Sequence, residues 1–299
     1  MRIAFPVLGF LPYILLHIHG DFCLNGYFFT IYMERNDVCI LINSTPKYYS
    51  ILPLQVGLIR RYAPKLKWRI FLATEVPEHE VCQRLIKEFG VELVLLSQDD
   101  SGFLESRLSG VRGLPSEITY VLPLQDDFIL DREPMYNVLE DACIVLDMDR
   151  NVASLRLMPC PGPVKEDPPY NPSKVWKVLT DDDEMMFTYQ ATLWRRVDYY
   201  AFFKYLVIGV QRDYSDAVTV EQKRHIALNV NCAEVKYGQN LLKRQSGNFV
   251  LHLAYPRAGP WSNAVYLCPF PYRPTAIVRG KLEDFAKELG KREGFPVAF

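Results

Sequence analysis

Between Val38 and Gln125, four short runs rich in β-formers, VCILINS, WRIFLATE, VELVLLS and YVLPLQ, are separated by stretches with helical spacing. Strands joined through helices cannot be hairpins. Each connection is a crossover, and such crossovers build parallel βαβ units with helices covering both faces of a sheet. The separators carry helix marks of their own. Tyr49 to Tyr62 sets Ile51, Leu54, Leu58 and Ile59 near helical spacing and stops before Pro64. Pro77 opens a second helix, with Val81, Leu85, Ile86 and Phe89 on one face and Gly90 as its stop. A third is expected around Gly102–Ser109.

Beyond the fourth run the pattern loosens. A helix is expected from Pro134 to about Met148 and a strand over Val152–Met158. The prolines between Pro159 and Pro172 forbid regular structure there. Met186–Ala191 reads as a strand turning into a helix from about Trp194, and a second helix spans Ala217 to Val230. FVLHLAY, AVYLCPF and TAIVRG read as strands before a terminal helix at Leu282–Leu289. The expectation is an α/β chain with one domain over 37–299, orderly over 37–158 and irregular over 159–299.

Net charge is −1, with 34 Lys and Arg against 35 Asp and Glu, so no global basic field exists to recruit nucleic acid. The seven cysteines are scattered without a CxxC or Cys/His ligand spacing. That argues against a zinc site or a disulfide framework and for a reducing, cytoplasmic setting. Residues 1–36 stand apart. Ile3 to Ile18 is largely apolar after Arg2, which raises membrane association through residues 3–18 as the alternative. Yet Pro6, Gly9, Pro12 and His17 interrupt it, and Met33 stands where the orderly pattern begins.

The sharpest local feature is YVLPLQDDFIL, where Asp126 and Asp127 interrupt an apolar run that resumes at once with Phe128. Buried carboxylates are costly unless neutralised, and two hard carboxylates at a strand end suit Mg²⁺ or Mn²⁺. A turn or an Arg partner is the plainer account. In open α/β sheets, ligands bind beyond the carboxyl ends of the strands. Ser44-Thr45, Asp99-Asp100 and Asp126-Asp127 all fall at such ends.

Gln125-Asp126-Asp127 resembles the metal-binding segment of GT-A glycosyltransferases, in which a β-strand ends in a DxD-type or xDD motif. The resemblance implies a single GT-A-like domain, with a mostly parallel central sheet, a nucleotide-sugar half over 37–158 and an acceptor half over 159–299. It implies Mn²⁺ or Mg²⁺ on Asp127, with Asp126 beside it facing the donor sugar or ribose, and Gln125 at the motif's first place, where a ribose contact falls. Ser44 and Thr45 would turn over the nucleotide base, Asp99 would accept a hydrogen bond from it, and Arg107 would reach a phosphate. FTYQATLWRR, followed later by Glu221, resembles a bacterial-type subgroup with a strand-Gln-x-x-x-Trp segment and a W-x-F-E motif. Here that motif reads Ala217 to Glu221 without its Trp. Glu221 is then the implied base, with Asp181, Asp182, Asp183 and Glu184 as rivals, and Trp194 could stack on a sugar or belong to the core. His225 and His252 are further ligand types, although FVLHLAY places His252 in an apolar strand.

The implied activity is metal-dependent transfer of a sugar from a nucleotide-diphosphate sugar, UDP-linked by first choice. The acceptor is a hydroxyl on a glycan, a lipid-linked or another molecule, and the implied outcome is inversion. A nucleotidyltransferase is the rival enzyme, but INSTPKYYS lacks the glycine-rich loop it would want. A catalytically degenerate GT-A-like scaffold is the non-enzyme alternative.

Overall fold

The computed structural model describes residues 35–97, 102–158, 168–171, 175–179, 187, 189–216, 249–253, 268–273 and 276–297. Its four N-terminal runs form β1 (Val38–Asn43), β2 (Arg69–Thr74), β3 (Glu92–Leu95) and β4 (Tyr120–Gln125). All are mutually parallel, in the spatial order β3-β2-β1-β4. The sheet continues through β8 (Thr192–Arg195), β6 (Val152–Arg156), β9 (Phe249–Leu253) and β7 (Trp176–Val178). Of these, β8 runs against β4 and β6, β9 runs with β6, and β7 runs against β9. The result is an α/β fold with a mostly parallel central sheet. These residues belong to the unit Met33–Phe299.

Six α-helices are present among the described residues: α1 (Leu52–Tyr62), α2 (Glu80–Phe89), α3 (Phe103–Arg112), α4 (Tyr136–Met148), α5 (Arg196–Asp216) and α6 (Asp284–Glu293). Strand periodicity decides which face each one covers. In β1, Ile40 and Ile42 pack with Val56 of α1, Leu85 of α2 and Leu139 of α4. Cys39 and Leu41 point the other way, into a core shared with Leu104 of α3 and Phe202 and Phe203 of α5. Burial on both faces explains why these strands read as unbroken apolar runs. Each fully buried Leu or Ile contributes about 1.5–3 kcal/mol relative to exposure.

Several boundaries differ from expectation for local reasons. A 3₁₀ turn over Pro46–Ile51 leads into α1, so the α-helix proper begins at Leu52. α2 begins only after His79, whose ring accepts from the Val81 N–H, and it ends on Gly90 in the left-handed region at φ 63°. Of the strand expected at Met186–Ala191, residues 187 and 189–191 are described and are not strand, and the strand here is β8. There Trp194 pairs with Val121 and Ser154, so Trp194 is a strand residue and the helix starts at Arg196. Sheet pairing on both sides overrides the helical spacing read from Trp194 onward. Between β4 and β6, β8 fills a gap the sequence does not advertise.

The C-terminal elements are short. β5 (Ile129–Leu130) pairs with β10 (Tyr272–Arg273). β11 (Ile277–Val278) and β12 (Lys281–Leu282) form a hairpin whose central Arg279 and Gly280 both have positive φ. Leu282 is held in that hairpin, so the terminal helix begins at Asp284 rather than Leu282. The helix expected over Ala217–Val230 and most of AVYLCPF lie outside the described residues, and Cys268 to Phe270 are not strand. Among the described residues, no helix is long and apolar enough to cross a membrane.

Candidate functional site

The apolar run containing the two acids is broken by a turn. β4 ends at Gln125, the Phe128 N–H donates to the Gln125 carbonyl at 3.2 Å, and β5 follows at once. Asp126 and Asp127 are the two central residues of that turn. β1 lies beside β4 with Asn43 opposite Gln125, so the residue after each strand meets its counterpart. Ser44 Oγ donates to Asp126 Oδ2 at 2.7 Å. The chain leaves β1 toward β2 and β3 on one side and returns to β4 on the other. This makes the seam between β1 and β4 the topological switch point, where open α/β sheets bind ligands.

A cleft of about 260 Å³ opens over this seam. Ser44, Thr45 and Tyr48 form one side, Gln125 and Asp126 the floor, and Phe103 and Arg107 of α3 the other side. α3 lies close because Gly110 faces β1 and β2: a Cβ there would stand 3.2 Å from both Ala73 Cβ and Asn43 Nδ2. Asn43 Nδ2 in turn donates to the Ser106 carbonyl at 3.1 Å, tying α3 to the end of β1. Arg107 is held over the ring of Phe103, with Cζ 3.5 Å from the centroid, and donates to the Phe103 carbonyl at 2.9 Å. Tyr189 flanks the same guanidinium at 5.4 Å.

Burial pushes the Asp126 carboxyl up to about 6; the Ser44 hydroxyl opposes that shift, Asp127 adds to it, and Arg107 opposes it. Burial also raises Asp127, against a hydrogen bond from the Ile277 backbone N–H. Two adjacent carboxylates that resist ionisation are a place where positive charge binds with gain. Among the described residues, no group of three or more His, Cys, Asp or Glu could share an ion. The two acids do fit the mode in which Mg²⁺ or Mn²⁺ takes one or two carboxylates and completes its shell with water and substrate phosphate.

Of the residues singled out from sequence, Ser44, Thr45, Arg107, Gln125 and Asp126 line the one cleft, with Thr45 exposed at its rim. Asp127 is the neighbour of Asp126 in the turn, engaged with Ile277. Trp194 is 2% exposed and packed by Phe187, Tyr199 and Phe202, so its ring is core, beside a small cavity reaching Gln125. Asp99, Glu221, Asp181, Asp182, Asp183, Glu184 and His225 lie outside the described residues. His252 is on β9, opposite Arg156.

Sequence reasoning passed over Tyr48, Phe103 and Glu75. Glu75 follows the last residue of β2, lines the cleft, and has a buried Oε2 with no hydrogen-bond partner among the described residues. The strand-end rule that picked out Asp126, applied to WRIFLATE, would have found it.

No protein-family model matches the chain, and no curated protein matches it. Among solved structures, the chain is similar to 4-diphosphocytidyl-2C-methyl-D-erythritol synthase from Anaerococcus prevotii, at 10% identity and TM-score 0.39, over 78% of this chain and 96% of that one. It is similar to residues 1–349 of TarS from S. aureus at 11% identity and TM-score 0.41, over 74% of this chain and 58% of that one. It is similar to the glycosyltransferase GlyE of Streptococcus pneumoniae at 14% identity and TM-score 0.40, over 76% of this chain and 56% of that one. The chain thus spans less than two thirds of the TarS and GlyE chains.

Proposed function

We propose that the cleft binds a nucleotide-diphosphate sugar, UDP-linked, and that the protein transfers the sugar to an acceptor hydroxyl with inversion. The observation that carries this reading is the register of β1 against β4, which sets Ser44 against Asp126 on the floor of a switch-point cleft walled by Arg107. Asp126 and Asp127 would hold Mn²⁺ or Mg²⁺, which when bound neutralises the diphosphate. Ser44 orients the Asp126 carboxylate. Arg107 supplies fixed positive charge for the departing diphosphate, in a site where charge–charge interactions exceed their strength in water. Tyr48 and Phe103 offer ring surface for the base, and Glu75 offers it an acceptor oxygen. In the transfer, the acceptor oxygen bonds to the anomeric carbon, the carbon–oxygen bond to the diphosphate breaks, and the hydroxyl proton passes to a carboxylate assigned to Glu221.

The test is thermal unfolding with and without Mn²⁺ against UDP-, GDP-, dTDP- and CMP-sugars, on wild type and Asp127→Ala. The expected result is a rise that needs both the ion and one nucleotide and disappears in the variant. No rise with any donor would overturn the reading and leave the acids a structural turn.

A further inference from the structure

One fully buried polar side chain on α1 has no part in the reading above. Gln55 is 0% exposed and sits among Leu54, Val56, Leu58 and Ile59, all of them buried. A buried amide without hydrogen bonds costs about 1–3 kcal/mol in proteins, so an apolar residue would be the default at this position. The Gln55 amide nitrogen donates to the Gln125 carbonyl at 2.5 Å and to the Phe128 carbonyl at 3.3 Å. Those are the two carbonyls that bracket Asp126 and Asp127. The Gln125 carbonyl also takes the Phe128 N–H that closes the turn, so both its lone pairs are in use. The opposite placement of the amide would set its oxygen against two carbonyl oxygens, so chemistry fixes the orientation. The Gln55 oxygen has no partner among the described residues, so the side chain's bonded work goes to the turn.

We propose that Gln55 is a positioning residue for the acidic pair: it clamps both ends of the Gln125–Phe128 turn and thereby sets where the two carboxylates stand. The inference rests on the donor-site reading for its consequence, though not for its geometry. Phe128 is also stacked on Tyr272, with centroids 4.3 Å apart, so α1 and β10 both hold the turn. A methionine at position 55 would fill similar space and leave both carbonyls without their side-chain donor.

The experiment compares Gln55→Met with Val56→Ala, an equally buried site on the same helix that does not bond the turn. Three quantities are read: the melting temperature, the dissociation constant for UDP in Mn²⁺, and hydrogen exchange at the Phe128 amide relative to amides of β4. Both variants should melt earlier. Only Gln55→Met should weaken UDP and Mn²⁺ binding, by about 10–100-fold as for lost partners of metal ligands, and only it should speed exchange at Phe128. Equal losses of stability with unchanged exchange and affinity would reduce Gln55 to a packing residue and overturn the proposal. If wild type binds no UDP, the donor-site reading fails while exchange at Phe128 still decides the clamp. Should Gln55→Met not fold, through-hydrogen-bond couplings in wild type from the Gln55 side-chain nitrogen to the Gln125 and Phe128 carbonyl carbons decide it. Their absence would overturn the proposal.

Discussion

Ser44 Oγ and Asp126 Oδ2 meet at 2.7 Å although 82 residues separate them in the chain. The contact follows from strand register, since Asn43 opposite Gln125 leaves the next residue of each strand side by side. A hydrogen bond to an ionised acceptor is worth about 1.5–3 kcal/mol. Ser44→Ala should therefore raise the Asp126 carboxyl further and weaken UDP binding in Mn²⁺ by about tenfold, or 1.4 kcal/mol. The loss should be larger at pH 6 than at pH 8, which titration calorimetry at the two pH values would show. An equal loss at both would mean that the hydroxyl contacts ligand rather than tuning the acid.

Asp126 also couples pH to stability. Its folded value, about 6, lies above the ordinary 3.8, so the fold prefers the protonated acid. The stability this contributes is fully present below about 3.8 and is lost as pH rises through about 6. Asp126→Asn escapes that loss. In urea unfolding with chelator present, the variant should gain on wild type between pH 4 and pH 7 by on the order of 1–3 kcal/mol. It should at the same time lose dication-dependent UDP binding. A difference that does not change with pH would show that the carboxyl is not strained in the fold.

Phe103 is 39% exposed, so replacing it should barely touch stability, within about 0.5 kcal/mol. Its ring nevertheless carries the Arg107 guanidinium. Phe103→Leu should weaken UDP binding about threefold to tenfold, the scale of a partly desolvated cation–π contact together with lost ring surface. Chemical denaturation and donor titration on the same preparation separate the two effects. A melting loss without an affinity loss would detach Phe103 from the site.

On the proposed assignment of Glu221 as proton acceptor, Glu221→Gln should keep donor affinity within about twofold while transfer falls by about 10²–10⁴-fold. Product formation at the wild-type rate would move that role to another acid.

The parallel core was readable from sequence because its strands are buried on both faces, so VCILINS and YVLPLQ carry no polar alternation to confuse the period. The acids at 126 and 127 were readable because they break such a run. β8 was not readable. TLWR is four residues long, and its pairing with Val121 and Ser154 draws on segments far away in sequence. Gln55 was invisible for a related reason. A glutamine on a helix ordinarily reads as a solvated position, and only the fold brings two carbonyls to meet it. Glu75 is an acid directly after the carboxyl end of β2, the same signal that marks Asp126 after β4.

The Ile277 N–H that meets Asp127 comes about 150 residues after the turn, as does Tyr272, which stacks on Phe128. During synthesis β1 to β4 leave the ribosome long before either partner exists. A nascent chain halted before residue 272 could form the parallel sheet and the Ser44–Asp126 contact, yet its acidic turn would be held by Gln55 of α1 without Tyr272 or Ile277. The order of translation thus makes the site the last part of this half to be finished, well after the strands that bear it.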